Sequence, residues 1–281
     1  MPKLKRYLLL AVLVLVSGSI AIFFRARVPV PAVPLSQPVA HLYKNKDVSI
    51  ARIRVKAFYA VPRDAETRTD PNWKDELSAA LEKSAAFHAL QFRGSSKLSY
   101  DIFPAPVLLA HDEALYDTTS TSDGNPHALI NVGEEIERRV FRKSGDLYDE
   151  TFAASDPHEY AVMAILYEGV GASGGEIYQT TLQSASQIAK KLGLPESIIY
   201  IVGIDSVSGF FIVNRNYLAK DPLAISGTSV FYHEFAHTIG LPDLFDNNNA
   251  PFLNDIMGRG REKPIENTYI DRNFLKAMGV F

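Results

Sequence analysis

Residues 233–243 read HEFAHTIGLPD, and they leave little choice about local structure. His233 and His237 are four apart, so on a helix both imidazoles lie on one face and can aim at a single cation. Glu234 projects from the neighbouring position, where a carboxylate can hold a proton beside that cation rather than ligate it. Val230, Phe231, Phe235 and Ile239 supply an apolar side that anchors such a helix in a core, with Thr228 or Ser229 as its cap. Gly240 tolerates the left-handed conformation that ends a helix, and Pro242 cannot continue one. The chain therefore turns sharply after Ile239, which brings Asp243 back toward the cation.

Fourteen residues past Asp243, Met257 stands within NDIMGRG, among short and flexible residues. HExxHxxGxxD followed by such a methionine resembles the metzincin family of zinc peptidases, whose long motif precedes a tight methionine turn. The aspartate in the third position and the run LPDLFD look most like the snapalysin and immune-inhibitor-A-like branches. The likeness covers about residues 228–260. It implies that His233, His237 and Asp243 ligate one catalytic zinc, that Glu234 is the general base, and that Met257 is the structural methionine of the turn. Three protein ligands leave a fourth position for water, which zinc acidifies for attack on a peptide carbonyl. The implied activity is endopeptidase cleavage of proteins or peptides outside the cytoplasm. Arg259 departs from the family, several members of which carry a tyrosine there. It reads as a surface arginine rather than an oxyanion stabiliser. Tyr232, Tyr269 and His158 raise the same question and also read as structural.

The alternation of strands and helices ahead of the motif predicts a mixed α/β sheet. Expected strands are 48–61, 160–168 and 197–205, with a short one at 210–214; 97–110 reads as extended, interrupted by Pro104 and Pro106. Expected helices are 73–90, 130–143, 178–192 and 269–278. The resemblance implies an upper lobe over about 40–240, holding the twisted sheet and the metal helix, and a small lower lobe over about 241–281. The cleft between them would let an extended peptide pair with a sheet edge, for which 210–214 is the candidate.

The chain of 281 residues has 47% hydrophobic content, enough for one sizeable core. Lys3, Lys5 and Arg6 precede the uncharged run from Tyr7 to Phe24, and Arg25 and Arg27 follow it. As a helix that run spans about 27 Å, close to a bilayer's hydrocarbon core. Residues 1–27 therefore read as a single-pass signal-anchor with the N-terminus inside, and the remainder as extracytoplasmic, or secreted if the segment is cut. Residues 28–39, with VPVPAVPLSQP, form an extended linker to the catalytic domain at 40–281. The absence of cysteine excludes thiolate ligands, cysteine lipidation and disulfides. Setting aside the five basic residues of the first 39 turns the formal charge from −3 to −8, which argues against a nucleic-acid partner.

Two motifs are decoys. GVGASGG at 169–175 contains GxGxxG, but the next acid at a strand end, Asp205, lies thirty-one residues past Gly174 where a dinucleotide fold needs about twenty. It reads as a glycine-rich loop near the cleft. Asp246, Asn247, Asn248, Asn249, Asn254 and Asp255 are oxygen-rich but match no calcium-loop spacing, so they read as a solvated loop. A rival reading keeps the metal and loses catalysis, leaving a silent ectodomain that binds a protein or cell-wall partner. The intact Glu234 favours the enzyme.

Overall fold

Strand β3 (Arg52–Val61) is the spine of the sheet, with both its faces buried from Lys56 to Val61. Ile53, Val55, Ala57, Tyr59 and Val61 enter one core, and Phe58 and Ala60 enter another on the opposite face. A strand buried on both sides is the mark of a parallel sheet with two covered faces. The computed structural model, which describes residues 39–116, 131–133, 135–136, 159–169, 173–179, 207–215, 227–244 and 252–281, has that arrangement. Strands β4 (Lys97–Ile102), β5 (Val107–Leu108), β6 (Tyr160–Tyr167), β7 (Gly174–Gln179) and β8 (Val207–Asn214) join β3 in the order β4-β3-β6-β8-β7, with β5 also against β3. All neighbours run parallel except β7, which lies antiparallel to β8. A separate two-stranded ribbon, β1 (His41–Leu42) and β2 (Asn45–Ser49), precedes them. The class is therefore mixed α/β, as expected.

Helix α1 (Trp73–Phe92) buries Trp73, Leu77, Ala80, Leu81, Ser84, Phe87 and His88, a stripe at helical spacing. It ends where Arg93 and Gly94 take positive φ. Helix α2 (Glu113–Tyr116) caps the second core, and residues 131–133 and 135–136 are helical there, within the expected 130–143. Helix α3 (Gly227–Thr238) packs on β7 and β8, and α4 (Arg272–Ala277) closes the chain from an Asp271 cap that accepts from Asn273 N–H. At the C-terminal ends of β3, β6 and β8, Arg215 gathers Asp70, Glu76 and Glu168 and ties the approach to α1 onto the sheet.

Several expectations need correction. Residues 210–214 belong to β8, which lies inside the sheet between β6 and β7, so they are not its edge. Among the described residues, the edge beside α3 is β7. Gly174 and Gly175, expected in a loop, are part of that strand, as are Tyr178 and Gln179, expected to start a helix. Pairing with β8 supplies what the glycines lack in strand propensity. The polar stretch at 111–127, expected as a loop, contains helix α2 at Glu113–Tyr116; its remainder from 117 on, residues 1–38, the rest of 178–192, 197–205, His158 and residues 246–249 lie outside the described residues. No described helix is long and apolar enough to cross a membrane, and the run from Tyr7 to Phe24 is not among them.

Candidate metal centre

Helix α3 places His233 and His237 one turn apart on the same face, and its apolar side holds it down: Phe231, Phe235 and Ile239 are buried and Val230 is half-buried. Thr228 and Ser229 lie in the first turn rather than capping it, and the Ser229 hydroxyl donates instead to the carbonyl of Lys263. The far end closes as a Schellman motif. Leu241 N–H donates to Ala236 O at 3.1 Å, Gly240 N–H to His237 O at 2.9 Å, and Gly240 sits at φ +90°. This is the sharp turn that glycine and proline predict, and it delivers Asp243 to the two histidines.

The three donor atoms form a small triangle. His233 Nε2 and His237 Nε2 are 3.2 Å apart, and Asp243 Oδ1 lies 3.3 Å from the first and 3.5 Å from the second. The tautomers follow from the other ring nitrogens. His233 Nδ1 is 2.8 Å from the carbonyl oxygen of Ile256, and His237 Nδ1 is 2.8 Å from that of Leu241. A carbonyl only accepts, so both Nδ1 atoms carry the proton and both Nε2 atoms present lone pairs. Two lone pairs and a carboxylate oxygen then face one another, an arrangement that repels itself until a cation enters. Tetrahedral zinc with nitrogen and oxygen ligands at about 2.0–2.1 Å needs those ligands about 3.3–3.4 Å apart, which these edges match. His233, Glu234 and His237 together offer metal-ligating atoms within 4.8 Å of one another.

Burial grades the site from floor to mouth. The side chain of His233 is 2% exposed, that of His237 18% and that of Asp243 42%, so access is from the Asp243 side. Glu234 is buried, and that burial raises its carboxyl above the usual range, while the two imidazoles and Arg261 pull it down. For His237 burial works against the charged form, but Asp243 and Glu234 outweigh it and its pKa is raised. For Asp243 burial acts upward, and the two imidazoles prevail and hold it well below the carboxylate range. The cation whose field reaches Glu234 is thus Arg261, whereas Arg259 is a surface residue beside Glu262 at 3.7 Å.

Met257 is fully buried in the main core, and its carbonyl accepts from Leu244 N–H at 2.8 Å, next to Asp243. Tyr232 is not a cleft residue: its hydroxyl lies in the core, 2.9 Å from His88 Nδ1. Tyr269 is partly exposed and its backbone pairs with Asp255. Asn254 is exposed and accepts from Lys263 Nζ, whereas Asp255 is fully buried with its carboxyl raised by burial to about 6, so Asp255 does not belong to a solvated loop.

The carbonyls of Ile256 and Leu241 orient the two imidazoles, and sequence reasoning could not name them because backbone acceptors leave no residue-type signal. Nor did it single out Gly175. A Cβ at that position would lie 2.0 Å from the carbonyl oxygen of Glu234, so only glycine lets the edge strand press against the metal helix.

No protein-family model matches the chain, and no curated protein matches it. Among solved structures it is similar to metalloproteinase-II from Bacteroides fragilis, with 10% identity and a TM-score of 0.39 over 91% of this chain. The chain spans 59% of that protein's length. A likeness at that level says nothing of what this chain does.

Proposed function

We propose that the chain is a metzincin-type zinc endopeptidase that hydrolyses peptide bonds of extracytoplasmic proteins or peptides. The observation that carries this reading is the triangle of His233 Nε2, His237 Nε2 and Asp243 Oδ1, with both imidazoles held in the metal-binding tautomer. Two imidazoles and a carboxylate suit zinc among the first-row ions. Zinc, when bound, supplies a Lewis acid that polarises a carbonyl and acidifies water.

The protein's own residues do the rest. Glu234, one position from His233 and sheltered from bulk water, takes the proton of the attacking water and returns it to the leaving amine. Among the described residues β7 is the last strand of the sheet and lies next to α3, where an extended peptide can add as a further strand. Residues 1–27 would anchor the domain from the cytoplasmic side of a membrane, with 28–39 as the spacer.

The test is Glu234→Gln in the full chain, assayed on an unfolded protein substrate with and without chelator. The expected result is about one zinc per chain retained and hydrolysis reduced about 10²–10⁴-fold. Zinc retained by the unaltered protein with no hydrolysis of any peptide library would favour a silent metal-containing ectodomain instead. Chelator-sensitive hydrolysis that survives the substitution would remove Glu234 from its role.

A further inference from the structure

The turn at 254–260 serves two ligands at once. The Ile256 carbonyl accepts from His233 Nδ1–H, and the Met257 carbonyl accepts from Leu244 N–H, beside Asp243. Both carbonyls keep their directions only if the peptides on either side are fixed, and Asp255 fixes them. Its Oδ1 accepts from Met257 N–H at 2.7 Å. Its backbone carbonyl accepts from Gly258 N–H at 3.0 Å and Gly260 N–H at 2.9 Å. The chain passes so close to that carbonyl that a Cβ on Gly260 would lie 2.4 Å from its oxygen. Opposite, Ile256 N–H donates to Tyr269 O at 2.8 Å and Tyr269 N–H to Asn254 O at 3.1 Å, so the turn is braced from both sides.

Asp255 is 0% exposed, and its carboxyl takes the Met257 amide on Oδ1, with the Asp271 backbone amide also acting on it. Burying a carboxyl is costly even with backbone amides beside it. A turn needing only local stability could use a smaller neutral acceptor such as serine, so the position of Oδ1 at the Met257 amide is what the cost secures.

We propose that Asp255 is a positioning residue of the metal centre, its carboxyl oxygen on the Met257 amide setting the Ile256 carbonyl that orients His233. This rests on the metal-centre reading above. Partners one step removed from a metal typically change affinity about 10–100-fold when lost.

The experiment titrates cobalt(II) into the full chain in detergent, reading affinity and the visible absorption band for the unaltered protein, Asp255→Ala and Asp255→Asn, with circular dichroism of each. The Ala variant is expected to bind cobalt about 10–100-fold more weakly with an altered band. The Asn variant, which keeps an accepting oxygen at the amide, is expected to match the unaltered protein. A purely structural role would lower the melting temperature and leave affinity and band unchanged, and that result in a folded Ala variant overturns the proposal. Should the Ala variant not fold, the Asn variant decides: a wild-type band and affinity support the role of the oxygen, and loss of either overturns it. An unaltered protein that takes up no cobalt or zinc would sink the metal reading itself, a result distinct from any difference among variants.

Discussion

At the scale of residues, the site is an arrangement of lone pairs and of the carbonyls that aim them. His237→Ala removes one corner of the triangle, and metal analysis should show bound zinc falling from about one per chain to near zero while the far-ultraviolet spectrum persists. His88 makes the opposite kind of prediction, because it is a core histidine. Its Nε2–H donates to Ser96 Oγ at 2.8 Å and its Nδ1 accepts from Tyr232, so the neutral ring is satisfied. Burial depresses its pKa to about 3. A folded-state pKa below the unfolded value of about 6.5 means the unfolded chain binds more protons between those limits. Stability from this residue is therefore full above pH 6.5 and lost as pH falls toward 3, with a limiting slope of about 1.4 kcal/mol per pH unit. Urea unfolding at pH 7 and pH 5 should show that loss, and His88→Gln should lessen it; an identical pH slope in the variant would assign the effect elsewhere.

At the scale of elements, two glycines decide whether helix, turn and strand meet. Gly240 at φ +90° is the C′ residue of the helix end, and alanine there costs about 1–2 kcal/mol. The variant should also bind zinc more weakly, since the turn carries Leu241 to His237 and Asp243 to both histidines. Gly175→Ala should be worse for the fold. Its Cβ would meet the carbonyl of Glu234 at 2.0 Å, backbone against backbone, so β7 or α3 must move. We expect a loss of about 1–3 kcal/mol in denaturant unfolding. An unchanged midpoint would mean that β7 does not press on the metal helix.

At the scale of the whole molecule, the anchor and the domain make separate claims. The full chain should sediment with membranes and resist extraction by alkaline carbonate, whereas residues 40–281 should stay in the supernatant and still take up zinc. Soluble full-length chain of undiminished size would count against the anchor, and soluble shortened chain would identify the segment as a cleaved signal.

Elements with a strong repeat of their own were legible from the residues. Helix α1 carries its apolar positions at helical spacing and β3 is a long β-favouring run, so both appear in the structure close to where the pattern puts them. The metal helix, its glycine end and the return of Asp243 follow from residue types within eleven positions, because local sterics and i,i+4 geometry are enough to specify them. Other features depended on neighbours far along the chain. Strand β7 has glycines where a strand wants branched side chains, and it is extended because β8 pairs with it. Asp255 sits among asparagines and aspartates that read as a wet loop, yet the approach of Tyr269 and Gly260 seals it from water. Arg259 and Arg261 differ by two positions, and the packing of that segment against α3 decides which charge acts on Glu234. The residues by themselves determined which side chains could hold a metal, since ligand chemistry and short-range helix geometry are local. The tertiary structure alone decided which backbone carbonyls aim those side chains and which strand borders them, because such contacts arise only where distant segments are brought together.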